Sequence, residues 1–209
     1  MYINKIISTL RKYYKNKLIE WTKGLNPFEI LIGTVLSQRT RDVNTEIAVK
    51  NLFSKYNSPQ KIANANLKEL ESLIKSCGFY KVKARYIKKI SKILINKFDG
   101  KVPKERSKLL SLPGVGPKTS AIVLVYGFGI PEAMPVDVHV HRISNRLGIV
   151  KTKKPEETEK QLMKIIPKKY WIDLNRLFVL HGQNICLPRN PKCDVCPINK
   201  WCKFYRSKK

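Results

Sequence analysis

Four cysteines crowd the C-terminal end of the sequence: Cys186, Cys193, Cys196 and Cys202, in the spacing C-x6-C-x2-C-x5-C. Only one other cysteine, Cys77, is present, and it reads as a small buried apolar residue. Thiolates are soft ligands that select zinc or iron–sulfur centres, and one short segment can wrap all four around a single centre. A usual structural zinc site pairs two C-x2-4-C knuckles across a longer spacer; here only Cys193 and Cys196 form one. The spacing points to a [4Fe–4S] cluster, with zinc or unligated thiols as the alternatives. The opening stretch MYINKIISTLRKYYK lacks the long apolar run and small-residue cleavage site of a secretory signal. An intracellular, reducing setting is expected, where neighbouring thiols hold a metal in preference to disulfides.

A second group capable of chemistry lies mid-chain. In Leu112-Pro113-Gly114-Val115-Gly116-Pro117-Lys118-Thr119, Gly114 and Gly116 allow backbone conformations closed to other residues, and the prolines fix φ. Val115 fits as an apolar anchor of the turn. A helix starting near Pro117 would present its first N–H groups beside the turn, a ready site for a phosphate. The turn's carbonyls can also coordinate a monovalent cation that bridges hairpin and phosphate. Lys118 sits in the first turn of that helix, whereas lysines are normally placed late in helices. The helix field and neighbouring cations would favour its neutral, nucleophilic form. Asp137 stands in the apolar run Pro135-Val136-Asp137-Val138, in a chain with only 15 acidic residues. It suits helix capping, and it suits activating or orienting a nucleophile. The plainer alternative is a tight helix–turn–helix connection in which Lys118 is one more phosphate contact.

Lys and Arg number 42 against 15 acidic residues, a formal charge of +27 over 209 residues. Such a charge repels itself unless a polyanion shares it, so nucleic acid is the expected partner, bound with steep salt dependence. The lysines are spread along the chain rather than gathered in a membrane-anchoring tail, and no apolar run reaches bilayer-spanning length.

The elements that must position these groups are helical. Ile6, Ile7, Leu10 and Tyr14 share helical spacing. Asn26-Pro27 marks a helix start, with Phe28, Leu31, Ile32 and Val35 on one face. Further helices are expected over 45–56, 67–77 and 81–98, around 107–110, from Pro117 through the apolar run 121–126, after Asp137, and from Pro155 to about Ile165. Pro59 and Asp99-Gly100 are expected to interrupt the pattern. Long alternating runs are missing, so the fold class is all-α.

These residues together resemble the endonuclease III family of the helix-hairpin-helix DNA glycosylases, particularly its archaeal members. The likeness runs from about Leu25 to Cys202. It is carried by Leu112-Pro-Gly-Val-Gly-Pro-Lys118-Thr, by Val136-Asp137-Val-His-Val-His-Arg142 and by the cysteine loop. The resemblance implies a two-lobed fold. A six-helix barrel spans residues 22–132 and contains the hairpin motif at about 107–127. A second helical domain is built from 1–21 with 133–209 and holds the cluster loop 186–202. It implies a base excision repair enzyme, a DNA glycosylase and abasic-site lyase that removes oxidised or damaged pyrimidines and nicks the strand by β-elimination. Lys118 is then the nucleophile, Asp137 its partner, and the four cysteines ligate a [4Fe–4S] cluster that is structural and DNA-positioning. Duplex DNA with damaged bases or abasic sites is the expected partner, and the expected state a monomer in a prokaryotic, archaeal cell.

Within that resemblance the DNA contacts are expected from Gly114, Val115, Gly116 and Thr119 at the hairpin, Arg189 in the cysteine loop, His139, and three residues that open the stack. Phe79 aligns with an apolar wedge. Arg39 stands where the bacterial enzyme has the glutamine that fills the void left by the flipped base, and Gln38 is adjacent, so either could fill it. His141 and His181 are assigned to structure. Adenine-excising relatives carry a glutamate near Gly33-Thr34, and thymine-mismatch relatives a tyrosine at the Lys118 position; this chain has neither. The rival readings are a mismatch-directed uracil or thymine glycosylase, a guanine-lesion glycosylase, and a non-enzymatic DNA-binding module.

Overall fold

The computed structural model describes residues 2–15 and 24–207, and every regular element among them is helical. The chain opens with α1 (Ile3–Tyr13), which buries Ile3, Ile6, Ile7 and Leu10, followed by the buried Tyr14. Two compact units result, Thr22–Glu132 and Met1–Trp21 with Ala133–Lys209. The junction expected between residues 21 and 22 lies outside the described residues.

The unit within Thr22–Glu132 contains α2 (Pro27–Ser37), α3 (Asp42–Lys55), α4 (Pro59–Asn64), α5 (Leu67–Leu73), α6 (Tyr80–Phe98), α7 (Arg106–Leu110) and α8 (Pro117–Ile122). Its core forms around α2. Ile30, Leu31, Ile32, Val35 and Leu36 have no solvent exposure, because α3, α6 and α8 pack against different sides of this helix. A helix apolar on all faces is one that belongs in the interior. Each of those side chains contributes roughly 1.5–3 kcal/mol by leaving water. The start of α2 is set by a capping box. Asn26 Oδ1 accepts from the N–H groups of Phe28 (2.9 Å) and Glu29 (3.0 Å), and the Glu29 carboxylate accepts from Asn26 N–H (2.9 Å).

The other unit joins α1 to α9 (Val138–Leu147), α10 (Pro155–Ile165), α11 (Trp171–Asn184) and α12 (Lys203–Arg206). Here α11 packs on both α1 and α9, enclosing Tyr14, Trp171, Leu174, Phe178, Val140 and Ile143. Asp137 caps α9 as its residue type suggested, and Pro155 opens α10.

Three expectations need correcting. The helical pattern does break at 56–58, but Pro59 is not part of the break: it is the first residue of a helix not expected there, α4, whose cap is the Ser58 hydroxyl accepting from Lys61 N–H at 3.3 Å. The apolar run after Ala121 does not continue as a regular helix, because α8 widens into a π turn over Val123–Gly127. The helix from Leu67 ends at Leu73, short of Cys77. The break at Asp99-Gly100 is real, both residues adopting left-handed backbone (φ 51° and 72°).

Replacing Asn26 with alanine removes the acceptor for two helix N–H groups. Stability to urea should fall by about 1 kcal/mol with an unchanged denaturant slope; an unaltered midpoint would show the capping box to be energetically idle.

Candidate functional site

The Leu112–Lys118 turn joins α7 to α8 in the first unit. Gly114 has φ +75°, and a Cβ there would meet the Tyr86 ring at 2.6 Å, so only glycine fits between turn and α6. Gly116 differs from expectation. Its φ is −102°, open to any residue, and nothing lies within 4 Å of where a Cβ would sit. Val115 is buried in the core, as an anchor should be, and its N–H donates to Leu112 O (3.1 Å). Lys118 is the second residue of α8 and is exposed. Thr119, by contrast, turns inward and is buried.

Gln38, just past the end of α2, is directed at this turn. Its Nε2 donates to Gly114 O (2.7 Å) and to Thr119 Oγ1 (3.2 Å). The Gly114 carbonyl, one of those offered for a monovalent cation, therefore already accepts a hydrogen bond from within the chain. The neighbouring Arg39 is exposed and left-handed (φ 50°), with its guanidinium carbon 5.8 Å from the centroid of the Phe79 ring. Phe79 is itself left-handed (φ 57°) and 63% exposed at the start of α6. A large aromatic left in water at a loop tip, against a cation, is poorly explained by packing alone.

In the second unit, Asp137 Oδ1 accepts from the N–H groups of His139 and Val140, both at 2.9 Å, which fixes the carboxylate at the start of α9. His139 lies against Gly182 of α11, and its Nδ1 is 3.1 Å from Arg142 Nη2. His141 and His181 are bound within the fold: His141 Nδ1 pairs with Thr158 Oγ1 (2.6 Å), and His181 Nδ1 with Tyr14 Oη (3.0 Å).

The same helix α9 holds the cysteine segment. Arg142 donates from Nε (3.0 Å) and Nη2 (2.8 Å) to Cys186 O, and from Nη2 to Gly182 O (3.0 Å). One turn on, Arg146 donates to Leu187 O (2.7 Å) and Pro188 O (2.9 Å), and its Nη1 lies 3.3 Å from Cys186 Sγ. All four loop cysteines are unpaired and line one cavity, which Arg146 also borders. Burial pushes the Cys196 thiol up to about 12 and raises that of Cys202, so these thiols do not ionise unaided at neutral pH. Among the described residues no three His, Cys, Asp or Glu side chains converge on a point that could hold one metal ion. Arg189 and Lys192 project from the loop into solvent. Sequence reasoning missed the roles of Arg142 and Arg146, although their i,i+4 spacing after Asp137 already put them on one helical face.

Comparison with known proteins decides the family. Residues 32–168 match the profile of the HhH-GPD superfamily base excision DNA repair proteins, and residues 186–202 that of the iron–sulfur binding domain of endonuclease III. The endonuclease III of Thermotoga maritima is 53% identical over 184 residues, covering 88% of this chain and 86% of that protein. The chain belongs to the endonuclease III family. It is accordingly an enzyme, a bifunctional DNA glycosylase and abasic-site lyase acting on duplex DNA. A solved endonuclease III–DNA covalent intermediate, trapped as an estranged-adenine complex, is 38% identical with a TM-score of 0.87, over 99% of this chain and 96% of that one. A thermostable thymine-DNA glycosylase has the same TM-score, 0.87, at 27% identity over 99% and 100% of the two chains. Relatives occur in bacteria and in plant chloroplasts; the archaeal affinity expected from the sequence has no support among them. No helix among the described residues is long and apolar enough to cross a membrane.

The Gln38 amide carries no charge, so its loss should weaken the hairpin without changing how many phosphates are neutralised. Gln38→Ala is expected to lower affinity for a duplex about 5-fold while leaving the slope of log K against log salt unchanged. Wild-type affinity in that variant would remove Gln38 from hairpin support.

Proposed function

We propose that this endonuclease III relative excises oxidised or damaged pyrimidines through an amine of its own, Lys118, and then cuts the strand. The observation that carries the reading is the exposed Lys118 at the second position of α8, directly after a turn held by Gln38. A base inside a duplex is out of reach, so the nucleotide is flipped out, at least cost where the base is damaged or mispaired. The Lys118 amine attacks C1′ as the base leaves. Asp137 helps to deprotonate the amine and offsets positive charge developing on the sugar. Its capping bonds hold the carboxylate in one orientation for that work. The C1′–O4′ bond then breaks, O4′ taking up a proton, and the resulting iminium makes the 2′ proton acidic; removal of that proton expels the 3′ phosphate and opens the strand. A water nucleophile would release the base and leave the strand intact, so the lysine is what couples excision to cutting.

The thiol set fits a cluster better than a single ion. A lone zinc needs four sulfurs about 2.3 Å from one point, whereas thiolates that each bind a separate iron are spread around a larger body. Four unpaired thiols lining one cavity are compatible with such a body, and the match of residues 186–202 to the iron–sulfur binding domain of endonuclease III supports it. Cys186, Cys193, Cys196 and Cys202 would hold a [4Fe–4S] cluster, which would fix the loop so that Arg189 and Lys192 meet the DNA backbone. Arg39 is favoured over Gln38 as the filler of the vacated stack, since the Gln38 amide is engaged at the hairpin.

In Lys118→Ala, borohydride trapping on damaged duplex should fall by at least about 1000-fold while duplex affinity changes less than about 5-fold; trapping at wild-type levels would transfer the role to another amine. Asp137→Asn should lose excision by about 100-fold or more and keep its iron. The protein as purified should contain about four irons per chain and absorb broadly near about 400 nm. One zinc and no colour would overturn the cluster.

A further inference from the structure

Lys83, on α6, is only 4% exposed. Burying an ammonium is costly unless its donors are filled, and it has three. Here all three have acceptors: Leu36 O at 2.7 Å, Gln38 O at 2.5 Å and Thr40 Oγ1 at 2.7 Å. The two carbonyls belong to the end of α2, a helix without a basic residue in its last turn, so Lys83 brings the cation that this end of the helix dipole favours. Thr40 Oγ1 also accepts from Gly78 N–H at 3.2 Å, and a Cβ on Gly78 would meet Arg39 O at 2.8 Å. The loop after α2 and the loop before α6 are thereby stitched together from beneath.

These two loops carry Arg39 and Phe79, each a non-glycine residue in left-handed backbone, each exposed, cation against ring. Two such strained residues side by side persist only where the surroundings over-determine them. We propose that Lys83 is a positioning residue: its ammonium locks the two loops so that Arg39 and Phe79 enter the DNA stack as one preset pair. The proposal rests on the reading above that these two side chains open the stack. Its energetic logic is preorganisation. Ordering both loops during folding removes that cost from the flipping step, where a damaged duplex must be unstacked.

A double-mutant cycle on the full, iron-loaded chain tests this. Lys83→Met keeps the side chain's length and removes the ammonium. Its kcat for excision from a single-lesion duplex should fall about 30-fold with KM changed less than about 3-fold. Strand cutting at a preformed abasic site in single-stranded DNA needs no wedge and should stay within about 2-fold. The fluorescence rise of a 2-aminopurine opposite an abasic analogue should be largely lost. Phe79→Ala should reduce excision comparably, and the double variant should be no worse than the weaker single. Thr40→Val, which deletes one acceptor, should show the same pattern more mildly, and it decides the matter if Lys83→Met does not fold. Independent, multiplying losses from Lys83→Met and Phe79→Ala would overturn the proposal. So would a normal aminopurine response in Lys83→Met, or wild-type excision by Thr40→Val. Unimpaired excision by Phe79→Ala would remove the wedge and the proposal with it; a wild-type chain that neither excises nor traps would contradict the function itself.

Discussion

Backbone groups that leave a helix must find partners, and the short segment from Leu36 to Thr40 finds its partners in side chains from distant parts of the sequence. Lys83 reaches in from α6 to two of its carbonyls and one hydroxyl, while Gln38 reaches out from it to Gly114 and Thr119 of the hairpin. A net hydrogen bond is worth about 0.5–1.5 kcal/mol, rising to about 1.5–3 with a charged partner, and leaving such groups buried and unmet costs as much again. The segment is therefore a fixed point: most of α2 behind it is buried, Gln38 within it holds the turn before Lys118, and the exposed Arg39 belongs to it. The hairpin ahead of Lys118 and the loop that carries the exposed Arg39 are both anchored on these few residues.

The second unit uses one helix for two tasks. At its start, α9 holds Asp137 by two N–H groups; one and two turns later it presents Arg142 and Arg146 to the cysteine segment. Those guanidiniums donate to carbonyls of residues 182–188 and so draw the first cysteine toward the cavity the other three line. The loop carries Arg189 and Lys192 outward, two of the cations behind the chain's formal charge of +27, which suits a polyanionic partner. One helix, α9, thus carries both the capped carboxylate and the guanidiniums that hold the cysteine segment.

Much of this was legible in the sequence where local chemistry decides structure. Asn26-Pro27, Asp137 before its helix, and Pro155 all act within a single turn, and each does in the structure what its residue type suggests. The hairpin was legible through Gly114, whose backbone no other residue could adopt against Tyr86. Other features have no local signature. Lys83 is one of 42 cations in the sequence, and nothing in its neighbours marks it as buried. The direction of Gln38 depends on a carbonyl 76 residues away. The left-handed backbones of Arg39 and Phe79 go against residue preference, and nothing in the local sequence marks them. The π turn after Ile122 likewise has no local mark, since its apolar run suits an ordinary helix equally well.

The account turns on one covalent bond between protein and sugar, and that bond can be located. Borohydride-reduced complexes on an abasic duplex, digested and sequenced by mass spectrometry, should carry the reduced deoxyribose on the peptide containing Lys118, at its side-chain nitrogen. An adduct found on another lysine, or on the N-terminal amine, would contradict the account.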